Sequence, residues 1–171
     1  HGPLRRVSVV QHIHIAELSK SFGPTQALRG VDIDLRAGTV HTILGENGSG
    51  KSTLIKALSG VVTPDSGAIA IDGVEARLTS PRVAHALGIH TVFQEILTAP
   101  NRSLVENVHL GSQPWLRASS GRAEQARRTR ELLGSLGIRD VDVTAEAGEV
   151  PLYVQQVTII ARALLREPRA L

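Results

Sequence analysis

Apolar and polar positions alternate strictly along Val31-Asp32-Ile33-Asp34-Leu35, which places Val31, Ile33 and Leu35 on one face. A period of two predicts a half-buried strand. His14-Ile15-Ala16-Glu17-Leu18-Ser19-Lys20 alternates more roughly and predicts a second, with Phe22-Gly23-Pro24-Thr25 as the turn between them. Arg36-Ala37-Gly38 turns the chain into Val40-His41-Thr42-Ile43-Leu44, an apolar run that reads as a buried strand. Leu54 to Leu58 then reads as a helix that ends near Gly60.

Turn chemistry divides the remainder. Pro64-Asp65-Ser66-Gly67 is a turn, Ala68 to Ile71 a short strand, and Asp72-Gly73 a hairpin signal. Ser80-Pro81 pairs an N-cap with proline at the first helical position, and that helix ends at Gly88. Ile89 to Phe93 reads as another buried strand, followed by a loop from Gln94 to Arg102. Ser103-Leu104-Val105-Glu106 is a capping box that opens a short helix. A helix lies within Gly121 to Gly137, with Gly137 suited to its C′ position, and a last helix runs from Val154 to Leu165.

Between the third predicted strand and the first helix stands Gly45-Glu46-Asn47-Gly48-Ser49-Gly50-Lys51-Ser52, which matches G-x-x-x-x-G-K-[ST]. Its glycines let the backbone wrap closely around a polyphosphate, and its amide hydrogens then form a nest for anionic oxygens. A helix beginning at about Lys51 turns its positive end toward the same place. Lys51 would reach the β- and γ-phosphates, and the Ser52 hydroxyl would hold Mg²⁺. A strand, a glycine loop and a helix in that order form the setting the motif requires.

Composition adds limits. The 171 residues suffice for a domain with a real core, and 42% hydrophobic against 20% charged residues is globular rather than disordered. Cysteine is absent, which excludes disulfides and thiolate-ligated metals. No run is long and apolar enough to span a bilayer; Val157 to Leu165 comes nearest, and Arg162 interrupts it. The net charge is only +3, and the one basic cluster, Arg122, Arg127, Arg128 and Arg130, reads as a solvated helix face. With aromatic residues at 2%, little is available for stacking on bases, and no nucleic-acid partner is expected. His12 and His14 share one strand face and could bind a metal weakly, although an exposed polar edge is the simpler reading. Residues 1–11 carry no motif and read as an N-terminal extension or appended start.

The order of motifs from His12 to Leu171 resembles the nucleotide-binding subunit of ATP-binding-cassette (ABC) transporters, and within them the carbohydrate importers. Phe22 falls where the family places an aromatic residue against adenine. Gly45 to Thr53 matches Walker A, with Thr53 an α-phosphate contact. Gln94, in Val92-Phe93-Gln94-Glu95, matches the Q-loop glutamine, which senses Mg²⁺ and the attacking water. The run from Phe93 through Ser103-Leu104-Val105-Glu106-Asn107-Val108-His109-Leu110-Gly111 is similar to sugar-importer sequences in particular. Glu95 is not assigned as a general base, because the family's base follows Walker B. The resemblance implies an α/β P-loop fold of ABC-ATPase type: an antiparallel β subdomain, a RecA-like parallel core carrying Val40 to Ser59 and Ile89 to Phe93, and a helical insert over about 103–150. It implies ATP and Mg²⁺ as cofactors, with Lys51 and Gln94 in catalysis and Ser52 and Gln94 at the metal. Expected partners are transmembrane permease subunits, a second nucleotide-binding domain and, indirectly, a solute-binding protein, at the cytoplasmic face of the membrane.

Two departures stand out. Where the family has roughly L-S-G-G-Q, this chain has Val150-Pro151-Leu152-Tyr153-Val154, although Gln155-Gln156 and Ile160 to Leu164 match the helix that follows. Pro151 offers neither hydroxyl nor amide hydrogen. Either this half does not complete a partner's site, or the backbone does so differently, or the segment is only a helix start. Second, Glu167 to Leu171 leads up to the place where the family enters Walker B, so the cassette is expected to be C-terminally incomplete. The chain by itself is then expected to bind nucleotide weakly or not at all, without turnover. Uncovered apolar surface, with marginal stability or self-association, is expected too. A regulatory or translation-associated cassette protein is the alternative; chromosome-maintenance cassettes insert a long coiled coil, and no heptad run is present.

Overall fold

A computed structural model of the chain describes residues 12–93, 95, 97–111 and 121–171. The N-terminal extension expected over 1–11, and Gln94, lie outside the described residues. Two compact units are distinguished. One runs to His90 and includes Ala170; the other covers Thr91–Arg169 and Leu171.

The first unit is built on a four-stranded antiparallel sheet in the order β2-β1-β3-β4, with β1 at His12–Phe22, β2 at Thr25–Arg36, β3 at Ser66–Ile71 and β4 at Val74–Glu75. The alternation expected for Val31, Ile33 and Leu35 holds: these side chains pack on the core while Asp32, Asp34 and Arg36 face solvent. In β1 the alternation breaks between Ile15 and Leu18, both fully buried, because a bulge with Glu17 at φ 50 inserts one extra residue. The Glu17 N–H turns to Asp32 Oδ1 at 2.9 Å. Gly67 makes the bulge possible, since a Cβ there would stand 2.5 Å from the Glu17 carbonyl oxygen. Helices α1 (Lys51–Leu58) and α2 (Pro81–Ala86) cover the apolar face, contributing Leu54, Ala57, Leu58 and Ala84 to a core with Ile13, Ile15, Leu18, Leu28, Ile69 and Ile71. Ser80 caps α2 through the Val83 N–H, as its position before Pro81 predicts.

Both strands expected in a parallel core are corrected. Val40 to Leu44 forms no strand, and Val40 and Leu44 are 96% and 86% exposed. Of the Ile89 to Phe93 run, only Ile89 and His90 are buried, and Phe93 is 39% exposed. The physical reason is the ladder. A parallel strand must satisfy its amides and carbonyls on a neighbour, and among the described residues the parallel pairing consists of one isolated bridge, Ile89 to Ala170, with His90 N–H donating to Ala170 O at 2.9 Å. An apolar run announces burial without supplying the partner that turns it into a strand.

The second unit is helical: α3 at Leu104–His109, α4 at Arg122–Ser135 and α5 at Leu152–Leu164. The Ser103–Glu106 capping box closes in both directions. Gly137 sits at φ 90 past α4, and Ile138 N–H reaches back to Leu133 O at 2.9 Å, a Schellman closure. Leu104, Val108, Leu133, Val143, Val154 and Ala161 form its core.

Candidate phosphate-binding site

Helix α1 begins at Lys51, and its first intrahelical bond is Leu54 N–H to Gly50 O at 2.9 Å. The amides of Lys51, Ser52 and Thr53 therefore have no acceptor within the helix. Gly50 occupies the N-cap at φ 91 without a side chain to satisfy them, and the first turn holds no acidic residue. A Cβ at Gly50 would lie 2.2 Å from the Ala27 carbonyl oxygen of β2, so backbone strain and contact both demand glycine there. The start of the helix is thereby seated directly on the sheet.

The Lys51 ammonium folds back over the loop. It donates to the carbonyls of Gly45 and Glu46 at 2.6 Å each and lies 3.4 Å from Ser49 Oγ. Ser49 N–H closes a turn on Glu46 O at 3.2 Å. Gly45 to Ser49, Asn47 and Gly48 among them, and Ser52 are exposed, and Thr53 is half-buried. The loop and helix start thus carry an ammonium group, the hydroxyls of Ser49, Ser52 and Thr53, and orphan amides. A cationic and donor-rich rim of this kind fits a polyphosphate, and a hydroxyl beside it fits a hard divalent ion.

Phe22 ends β1 at the turn into β2 and is 50% exposed. Lys20 Nζ stands 5.6 Å from its ring centroid, within cation–π range, and is itself paired with Asp65 at 2.6 Å. Bonds from Lys20 and from the Ser21 amide hold the Asp65 carboxyl below its usual pKa. Phe22 and the loop both adjoin the first half of β2: Phe22 pairs with Thr25, and Gly50 rests on Ala27.

The structure also shows an arrangement to which the sequence assigned no role. In the helical unit Asn107 is 1% exposed; its Oδ1 accepts from Ala99 N–H at 2.8 Å, and its Nδ2 faces the carbonyls of Ala99, Arg102 and Ser103. Arg162 on α5 donates to Asn107 O at 2.7 Å, to Asn107 Oδ1 at 3.2 Å and to Leu97 O at 3.0 Å. Burial, with Arg166 nearby, pulls the Arg162 pKa below its usual value. Together the two side chains tie the segment after Gln94 to α3 and α5. The sequence signals were indirect: Arg162 interrupts the apolar run Val157 to Leu165, and Asn107 lies in the stretch similar to sugar importers. Pro151 is the N-cap of α5, where Leu152 and Tyr153 are exposed, so the segment at the signature position is a helix start.

Comparison with known proteins fits this geometry. The family model described as "ABC transporter" matches residues 28–171. The ribose import ATP-binding protein RbsA 1 of Rhizobium johnstonii is 41% identical over 152 residues, covering 89% of this chain and 30% of the relative. The arabinose import ATP-binding protein AraG of Chromohalobacter salexigens is 43% identical over 152 residues, covering 89% and 31% respectively. The chain thus spans about a third of the length of these curated relatives. Among solved structures, the ADP conformation of an ATP-binding cassette of an ABC transporter superposes with a TM-score of 0.77 at 27% identity, covering 91% of this chain and 65% of that one. A dimeric bacterial ABC transporter cassette gives a TM-score of 0.76 at 25% identity, covering 91% and 70%. Taken with the glycine loop seated on an antiparallel sheet and the separate helical unit, these matches show that the chain belongs to the ABC transporter family and carries the α/β P-loop fold of its ATP-binding cassettes.

Proposed function

We propose that the chain is the nucleotide-binding part of an import ATPase for a carbohydrate, coupling MgATP binding and hydrolysis to transport. The observation that carries the nucleotide reading is the Lys51 ammonium held at 2.6 Å over the Gly45 and Glu46 carbonyls, in front of a helix start with orphan amides. The carbohydrate reading is supported by relatives whose names specify ribose and arabinose import.

In this reading the loop from Gly45 to Gly50 wraps the phosphates. Lys51 exchanges its carbonyl partners for β- and γ-phosphate oxygens, Thr53 contacts the α-phosphate, and the Ser52 hydroxyl is a Mg²⁺ ligand. Phe22 offers its half-exposed ring to the base, a stack worth roughly 1 kcal/mol. Gln94 holds the attacking water and the metal, and the Asn107–Arg162 tie orients the segment that follows it. Bound Mg²⁺ neutralises charge on the transferring phosphoryl group, where positioning and electrostatics supply most of the catalysis. The helical insert over about 103–150 faces transmembrane permease subunits, a second nucleotide-binding domain completes the pair, and a solute-binding protein acts indirectly. The site of action is the cytoplasmic face of the membrane; among the described residues no helix is long and apolar enough to cross it.

Phosphate release by the full-length protein tests this. Expected is Mg²⁺-dependent hydrolysis that Lys51→Ala abolishes and that Phe22→Ala weakens mainly through KM. Hydrolysis unaffected by Lys51→Ala would overturn the reading.

A further inference from the structure

The sheet has a second chemically distinctive place, on its solvent face. His12 and His14 stand two residues apart on β1, so both point away from the core that Ile13 and Ile15 enter. Asp34 faces His14 across the β1–β2 ladder, and Arg36 faces His12. One carboxylate oxygen, Asp34 Oδ1, accepts from both rings, at 2.6 Å from His12 Nε2 and 2.8 Å from His14 Nδ1. The three potential ligand atoms all lie within 4.8 Å of one another. The backbone beneath them is pinned, since His12 N–H donates to Asp72 Oδ1 at 3.0 Å and Asp72 N–H returns to His12 O at 2.9 Å.

We propose that His12, His14 and Asp34 form a surface site for one borderline transition-metal dication, of the Zn²⁺, Co²⁺ and Ni²⁺ class, that staples β1 to β2. Two imidazoles and a carboxylate suit these ions, whereas Mg²⁺ and Ca²⁺ prefer oxygen. Bonds of about 2.0–2.1 Å to a tetrahedral ion set neighbouring ligand atoms about 3.3 Å apart. The carboxylate oxygen, now 2.6 and 2.8 Å from the two nitrogens, need only ease outward by about half an ångström. Each ring gives up the proton it shares with Asp34, to its other nitrogen or to solvent, and so frees a lone pair for the ion. The fourth position opens into a depression lined by His12, Asp34, Arg36 and Ala37, which leaves it accessible to a solvent ligand. The Arg36 charge beside it tempers affinity, so the site is of moderate strength. It is independent of the phosphate loop: Asp34 lies seven residues along β2 from Ala27, roughly 23 Å at strand spacing.

The test is a Co²⁺ titration of the full chain, followed by visible absorption and competed with Zn²⁺ and Mg²⁺. One equivalent of Co²⁺ is expected to bind saturably, to be displaced by Zn²⁺ and not by Mg²⁺, and to raise the melting temperature. His14→Gln and Asp34→Asn should each weaken binding by about tenfold or more, while His1→Ala and His41→Ala leave it unchanged. Because the first two variants could disturb the sheet, Ni²⁺ line broadening in the unmutated protein gives a second reading, expected to centre on the amides of His12, His14 and Asp34. Absence of saturable binding, broadening centred elsewhere, or loss of binding in His1→Ala would overturn the proposal.

Discussion

Two short segments rich in branched apolar residues, Val31 to Leu35 and Val40 to Leu44, are separated by four residues yet end in opposite environments. The first is a strand whose apolar side chains pack on a buried core; the second has no ladder, and Val40 and Leu44 stand almost fully in water. Each carries one valine, one isoleucine and one leucine. What differs is the neighbour: Leu35, Ile33 and Val31 meet Ile13, Ile15 and Leu18 of β1, while no described strand flanks Val40 to Leu44. Burial potential is a property of a segment, but strand formation is a property of a pair.

The largest effects should separate these environments. Ile15→Ala, at a fully buried position opposite Ile33, is expected to cost roughly 2–5 kcal/mol in denaturant unfolding. Leu44→Ala should change stability by no more than about 0.5 kcal/mol; equal costs for the two would show that the second run is packed after all. Gly50→Ala comes next. At φ 91, against the Ala27 carbonyl, it should cost about 1–2 kcal/mol or more and abolish nucleotide binding as well. Lys51→Ala sharpens the contrast by removing nucleotide binding while leaving unfolding within about 0.5 kcal/mol of the parent, because its ammonium bonds to Gly45, Glu46 and Ser49 of an exposed loop.

The smallest effect lies in the acid limb of the stability curve. Hydrogen bonds from His14, then from His12, hold the Asp34 carboxyl below its ordinary value of 3.8. A carboxyl whose pKa is lower in the folded state stabilises the fold above its unfolded pKa and loses that contribution as pH falls through the folded one. Asp34→Asn should therefore lower stability slightly at neutral pH, converge with the parent well below about pH 4, and so show a shallower acid limb. An acid limb identical to the parent's would remove Asp34 from the account.

What the sequence disclosed follows the same division. Local signals were legible: the Ser103–Glu106 box, Ser80 before Pro81, Gly137 past α4, and the glycine loop from Gly45 to Lys51 each depend on residues a few positions apart. Signals that needed a distant partner were not. Asp34 joins His12 and His14 only through strand register, and Asn107 meets Arg162 across 55 positions. Val40 to Leu44 failed for the same reason.

Amide hydrogen exchange across residues 31–53, with and without MgATP, tests the central claim that the loop after Val40 to Leu44 is a triphosphate cradle. In the full-length protein, nucleotide should slow exchange at Gly45 to Thr53 and leave Val31 to Leu35 unchanged, and Lys51→Ala should erase the difference. Exchange at Gly45 to Thr53 that is indifferent to MgATP would contradict it.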